Sequence, residues 1–279
     1  MKIHKIHGGK FKLDGGSMFG VVPKTMWDKQ YPSDENNLIP LAMRLMLVEI
    51  DDRKILINSG IGNKQSDKFF SRFQPHGEES IDKSLAEAGF SRNDITDVFH
   101  THLHFDHCGG SIIYNDNGEL VPAFPNAKYW VTENQWNWAK KPNEREAGSF
   151  LKENLQPMED SGVLQLTDGD TEIYPGFNIR EYHGHTIGQA IPFLDYNGKT
   201  IVFTSDLLAF SQHIRLPWIM SFDIQPLVSL KEKKEFLTEA YENEYILYFE
   251  HDNFVEAGML KKTEKGIRLG ETFELNKIL

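Results

Sequence analysis

His102-Leu103-His104-Phe105-Asp106-His107 places three imidazoles and one carboxylate within six residues, directly after a predicted strand over 97–100. Side chains alternate along an extended chain, so His102 and His104 point to one side. A turn then brings Asp106 and His107 back toward the same place from another angle. Two pairs of donors from one loop suit two adjacent cations. Imidazole with carboxylate suits zinc first, with iron or manganese as alternatives. The plain alternative is a histidine cluster on a solvated loop.

Three further candidates lie downstream, each at the end of a predicted strand. His185 sits in Tyr182-His183-Gly184-His185-Thr186-Ile187-Gly188-Gln189, Asp206 follows Ile201-Val202-Phe203-Thr204-Ser205, and His251 follows Tyr245-Ile246-Leu247-Tyr248-Phe249. Strand ends are where active-site loops collect in layered folds. Of the two histidines flanking Gly184, His183 reads as structural.

In this order, His102-x-His104-x-Asp106-His107, Gly184-His185-Thr186, Ser205-Asp206 and His251 resemble the motif series of the metallo-β-lactamase superfamily, and they span most of the chain. The resemblance implies an αββα four-layer sandwich, one domain over 1–279, with the metals at one edge. It also implies two divalent metal ions: one on His102, His104 and His185, the other on Asp106, His107 and His251, with Asp206 bridging. Two ions so held acidify bound water to a pKa of about 7, so that a hydroxide shared by the metals is the expected nucleophile. Asp106 and Asp206 are then the catalytic carboxylates. Cys108, next to His107, reads as a small buried residue before Gly109-Gly110 and not as a nucleophile.

Within the superfamily the chain is most similar to acyl-homoserine lactonases and methyl parathion hydrolase-like enzymes, through Gly16-Ser17-Met18-Phe19-Gly20-Val21-Val22-Pro23-Lys24 and residues 101–110. The implied activity is hydrolysis of a small, partly apolar ester, lactone or organophosphate. The alternative is a mononuclear iron-dependent thiol or persulfide dioxygenase on the same scaffold. Two positions depart from the pattern. Ala209 stands where the lactonases often carry a carbonyl-polarising Tyr, and His213 is the expected replacement donor. Asn58-Ser59-Gly60 stands where many members have Asp-Thr-Gly, which removes a charge behind the metal ligands. Phe19, Met26 and Trp27 in the early loop, with Phe210, Trp218 and Phe222 after Asp206, are the candidate pocket residues.

Composition narrows the partners. The chain has 279 residues, 39% hydrophobic and 25% charged, an ordinary globular balance. A net charge of −11 disfavours a nucleic-acid partner. A single cysteine excludes an intrachain disulfide. No apolar run approaches the ~20 residues of a membrane helix, and the N-terminus lacks a signal-like apolar segment, so a cytoplasmic location is expected. The partner is a small-molecule substrate, with no nucleic acid and no membrane. Trp130, Trp136 and Trp138 read as core or as the surface of a homodimer.

The remaining pattern is one of strands with helices between them. Short strands are expected at 10–13 and 54–58, an apolar strand at 41–50, and a long loop at 22–40. Helices are expected at 66–73, 80–88, 143–158 and 227–241. Asp195-Tyr196-Asn197-Gly198 marks a hairpin turn, and 254–260 with 266–269 a closing hairpin.

Overall fold

The computed structural model describes residues 1–278. It contains two mixed sheets with helices, and the backbone divides into two compact units. The first comprises Met1–Lys10, Met43–Thr171 and Gly188–Ala190, and the second Phe11–Ala42, Glu172–Ile187 and Ile191–Leu279.

The six-stranded sheet runs in the order Lys2–Asp14, Leu38–Ile50, Arg53–Ile57, Asp97–Phe99, Lys128–Thr132, Leu164–Thr167. Residues 41–48 are buried without interruption, as expected of a strand covered on both faces. From Arg53–Ile57 onward the pairings are parallel, with Ile57 opposite Phe99 and Phe99 opposite Trp130. Ligand loops in such sheets gather beyond the carboxyl ends of the strands. Asn58 and Thr101 follow two neighbouring ends and meet there. Leu45, Leu56, Val98, Leu103, Tyr129 and Met158 belong to the core of this unit.

The seven-stranded sheet runs Gly266–Phe273, Ala257–Thr263, Ile246–Tyr248, Lys199–Phe203, Gln189–Tyr196, Phe177–Tyr182, Thr171–Tyr174. The Asn197-Gly198 turn has both residues at positive φ, 49° and 77°, and pairs Tyr196 with Lys199, as its sequence predicts. Lys199–Phe203 and Ile246–Tyr248 are parallel neighbours with Phe203 opposite Tyr248. Asp206 and His251 each lie three residues beyond that pair. Val202, Leu208, Phe236 and Leu247 belong to the core of this second unit.

Several expected elements differ in extent. The first strand covers Lys2–Asp14, because its small and polar residues pair along a sheet rather than turning. The expected loop at 22–40 contains the helix Lys24–Trp27 and the start of the next strand. The expected helix at 143–158 is broken. Asn143 Oδ1 accepts from the backbone N–H of Arg145 and Glu146, a short turn runs over Ala147–Ser149, and a helix begins only at Lys152. An Asn side chain offering such bonds competes with helix propagation.

Candidate metal centre

The first unit supplies four buried donors from one turn. His104 starts the short helix Phe105–Cys108, so Asp106 and His107 follow within one turn of it. His102 Nε2 lies 3.0 Å from His104 Nδ1, and the His102 and His107 rings are 3.9 Å apart by centroid. Asp106 Oδ2 is 3.7 Å from His107 Nε2. The turn is tight because Gly109 and Gly110 follow it. A Cβ there would stand 2.2 Å from the carbonyl oxygen of Ile61 and 2.0 Å from that of Ser59, so only glycine fits.

The outer ring nitrogens have fixed partners. His104 Nε2 donates to Glu146 Oε1 at 2.8 Å, and Glu146 Oε2 accepts from Trp138 Nε1 at 2.6 Å. His102 Nδ1 is 3.2 Å from Thr101 Oγ1. Asn58 Oδ1 accepts from the Thr101 backbone N–H at 2.9 Å, which turns its amide nitrogen toward His107 Nδ1 at 3.0 Å.

The second unit gathers three donors from separate segments. Ser205, at φ 41° in the left-handed region, turns the chain so that Asp206 reaches two histidines. Asp206 Oδ2 is 3.2 Å from His185 Nε2, and its Oδ1 is 3.4 Å from His251 Nε2. His185 Nδ1 donates to Asp223 Oδ1 at 3.0 Å, and His251 Nδ1 donates to the Ala42 carbonyl at 2.8 Å. The His185 loop is anchored on the helix Pro226–Glu242. Glu232 accepts from the backbone N–H of His183 and Gly184 at 2.7 and 3.0 Å, and a Cβ on Gly184 would meet Ser229. His183 itself is half-exposed.

These donor sets fit divalent metal ions. With Nδ1–H of His185 and His251 given to oxygen acceptors, each Nε2 turns a lone pair toward a carboxylate oxygen. In the first unit, His102 Nε2 and His104 Nδ1 face each other at 3.0 Å. Nitrogen with carboxylate oxygen is a zinc-type donor set. Glu146, Asp223 and Glu232 escape sequence reasoning. Glu146 lies in the segment read as a helix, and neither of the others stands in a motif.

The remaining candidates divide clearly. His213 is a correction. Its Nε2 donates to the Met18 carbonyl at 2.9 Å and its Nδ1 accepts from the Phe210 N–H at 3.3 Å. Both nitrogens are committed to backbone, burial pushes its pKa down to about 3, and no N–H is left for a substrate oxygen. Phe19, Trp27 and Phe210 are fully buried, with Phe19 stacked on Trp27 and Phe210 stacked on Tyr31, which places them in the core of the second unit. Trp218 is also buried, edge-on to Phe19. Met26 and Phe222 are exposed, at 50% and 40%. Cys108 is fully buried, donates to the Leu103 carbonyl, and has its thiol pushed up to about 12 by burial, which rules against a thiolate nucleophile. In the first unit, Phe69 and Phe73 lean on Phe105, with centroids 5.2 and 4.6 Å away, and their helix has no buried residue. This half-exposed aromatic group adjoins Asp106.

The metallo-β-lactamase superfamily profile matches residues 45–251. A probable metal-dependent hydrolase from Staphylococcus aureus is 31% identical and superposes with a TM-score of 0.88, over 98% of this chain and 96% of the other. An N-acyl homoserine lactonase from a Bacillus species is 26% identical over 235 residues, 79% of this chain and 85% of the relative. The fold is shared with AidC, a dizinc quorum-quenching lactonase in complex with an N-hexanoyl-homoserine product, at 20% identity and a TM-score of 0.79, over 98% and 97% of the two chains.

Proposed function

Because the chain belongs to the metallo-β-lactamase superfamily and is a metal-dependent hydrolase, we propose that it opens a small, partly apolar lactone. One divalent ion is held by His102, His104 and His185, the other by Asp106, His107 and His251, and Asp206 joins them.

The observation that carries the reading is the orientation of the histidines. In each unit the outer ring nitrogens have fixed partners, and the inner ones turn toward Asp206 or toward one another. Bound divalent ions, with zinc expected, supply water acidic enough to react near neutral pH and a Lewis acid for the substrate carbonyl. The chain's residues do the rest. Asp206 offers one oxygen to each of two histidines, so a single carboxylate serves both sides. Glu146 and Asp223 hold ring orientation. Phe69, Phe73 and Phe105 offer an apolar surface for an acyl or aryl substituent. The lactonase relatives support a lactone over other compact esters.

The test is a panel of N-acyl homoserine lactones, aryl esters and phosphotriesters offered to zinc-reconstituted protein. The expected result is a kcat/KM for a lactone well above the others. Turnover of phosphotriesters or aryl esters with lactones untouched would overturn the lactone assignment.

A further inference from the structure

We infer that His100 is a positioning residue for the His107 turn: through Ser111 and Ser59 it fixes the direction of a buried hydrogen-bond chain that ends on the His107 carbonyl. The inference deepens the metal reading above and rests on it for the step from His107 to a bound ion.

All four residues belong to the first unit and are buried, at no more than 1% exposure. His100 follows the strand Asp97–Phe99, Ser59 lies two residues beyond the strand Arg53–Ile57, and Ser111 ends the short turn Gly109–Ser111. His100 Nε2 is 3.2 Å from Ser111 Oγ, Ser111 Oγ is 2.8 Å from Ser59 Oγ, and Ser59 Oγ is 3.2 Å from the His107 carbonyl oxygen.

The last member sets the direction of the rest. A carbonyl oxygen only accepts, so the Ser59 hydroxyl gives its one proton to His107. Ser111 must then donate to Ser59, which commits its proton too. Ser111 is left to accept from His100, so the imidazole carries its proton on Nε2. His100 Nδ1 is buried and has no hydrogen-bond partner, so a proton placed there would have no acceptor. Tyr129 lies edge-on to the imidazole, with centroids 5.8 Å apart, and its hydroxyl donates to the Ser111 carbonyl at 2.9 Å.

The His107 carbonyl also accepts from the Ser59 backbone N–H at 2.7 Å, and the Gly110 N–H donates to the Gly60 carbonyl at 2.8 Å. The chain therefore ties the ligand turn to residues 59–60. Without the His100 proton, the Ser111 hydroxyl has no fixed donor and both serine hydroxyls can reverse. The His107 carbonyl would then lose its side-chain donor. His100 acts through His107 and is not itself a ligand.

Two measurements on the whole protein test this. Histidine side-chain NMR of the zinc-free wild type should show His100 protonated on Nε2, its signal identified by its loss in His100→Gln. Neutron diffraction from the wild type reads the same proton if the variant fails to fold. In chelator competition, His100→Leu should weaken zinc retention by about 3- to 10-fold, the scale of one hydrogen bond. His100→Gln, whose amide nitrogen reaches the Nε2 position, should recover most of that loss, and the shorter His100→Asn should not. A space-filling role predicts the opposite order, with His100→Leu retaining zinc best. A proton on Nδ1, or retention in His100→Gln no better than in His100→Leu, would overturn the inference and leave the metal reading intact. A wild-type protein that holds no zinc would overturn the metal reading and with it the step from His107, while the proton on Nε2 would still be found.

Discussion

The two units build similar donor sets by different means. The first draws His102, His104, Asp106 and His107 from six consecutive residues, and one tight turn orients them. The second draws His185, Asp206 and His251 from three distant segments, oriented by the register that sets Phe203 beside Tyr248. In the first, each histidine has its own outer partner. In the second, one carboxylate lies between two histidines, so the whole set depends on Asp206.

The sharpest break follows from that dependence. Asp206→Ala should lower kcat by more than about 10³-fold, beyond the scale of losing a single transition-state donor. His102→Ala and His107→Ala should each reduce bound metal and abolish hydrolysis. Normal turnover in any of the three would remove the assignment.

The next contrast is between the aromatic groups. Trp218 is buried in the second unit, so Trp218→Ala should cost about 3–5 kcal/mol in denaturant unfolding. Phe69→Ala and Phe73→Ala, in the half-exposed group beside Asp106, should leave stability nearly unchanged and raise KM for long-chain lactones by about tenfold, the equivalent of about 1.4 kcal/mol of lost apolar contact. A KM change for Trp218→Ala with unaltered stability would return that residue to the pocket.

Asn58→Asp sharpens the difference within the first unit. It places a carboxylate behind His107 and should tighten metal retention by about 10- to 100-fold in chelator competition. Unchanged or weaker retention would contradict the argument from outer partners.

His213→Ala, in the second unit, should cost about 1–3 kcal/mol by leaving the Phe210 N–H and Met18 carbonyl without their partner, and leave kcat of the folded protein unchanged. Its pH signature has a definite sign. With the folded pKa lowered from 6.5 to about 3, the unfolded chain takes up the proton first, so this contribution to stability is present above pH 6.5 and lost as pH falls toward 3. The variant should flatten that decline in a pH series of unfolding curves. The smallest effect belongs to Cys108→Ala, which should retain substantial activity. The wild-type thiol, pushed up to about 12, should resist iodoacetamide at pH 8. An inactive Cys108→Ala protein that folds and binds metal would favour cysteine chemistry.

These contrasts also mark how far the sequence could be read. The six-residue cluster was legible because its chemistry is local. His185, Asp206 and His251 were legible only as an ordered series at strand ends. Glu146 was hidden because 143–158 has the spacing of an amphipathic helix, and only the Asn143 side-chain bonds reveal the break. Asp223 reaches His185 across 38 residues, a contact no local pattern encodes. The aromatics near Asp206 in sequence were read as pocket, but packing took most of them into the core. The signal available for the exposed group was the run of Phe69, Phe70 and Phe73 on the helix expected at 66–73.

The central claim is that the histidine and aspartate donors hold two ions. Metal analysis of zinc-saturated, gel-filtered protein, wild type beside Asp206→Ala, tests it most directly. The account predicts two ions per chain in the wild type and fewer in the variant. A wild-type protein that saturates at one ion per chain and turns over lactone at its full rate would contradict it.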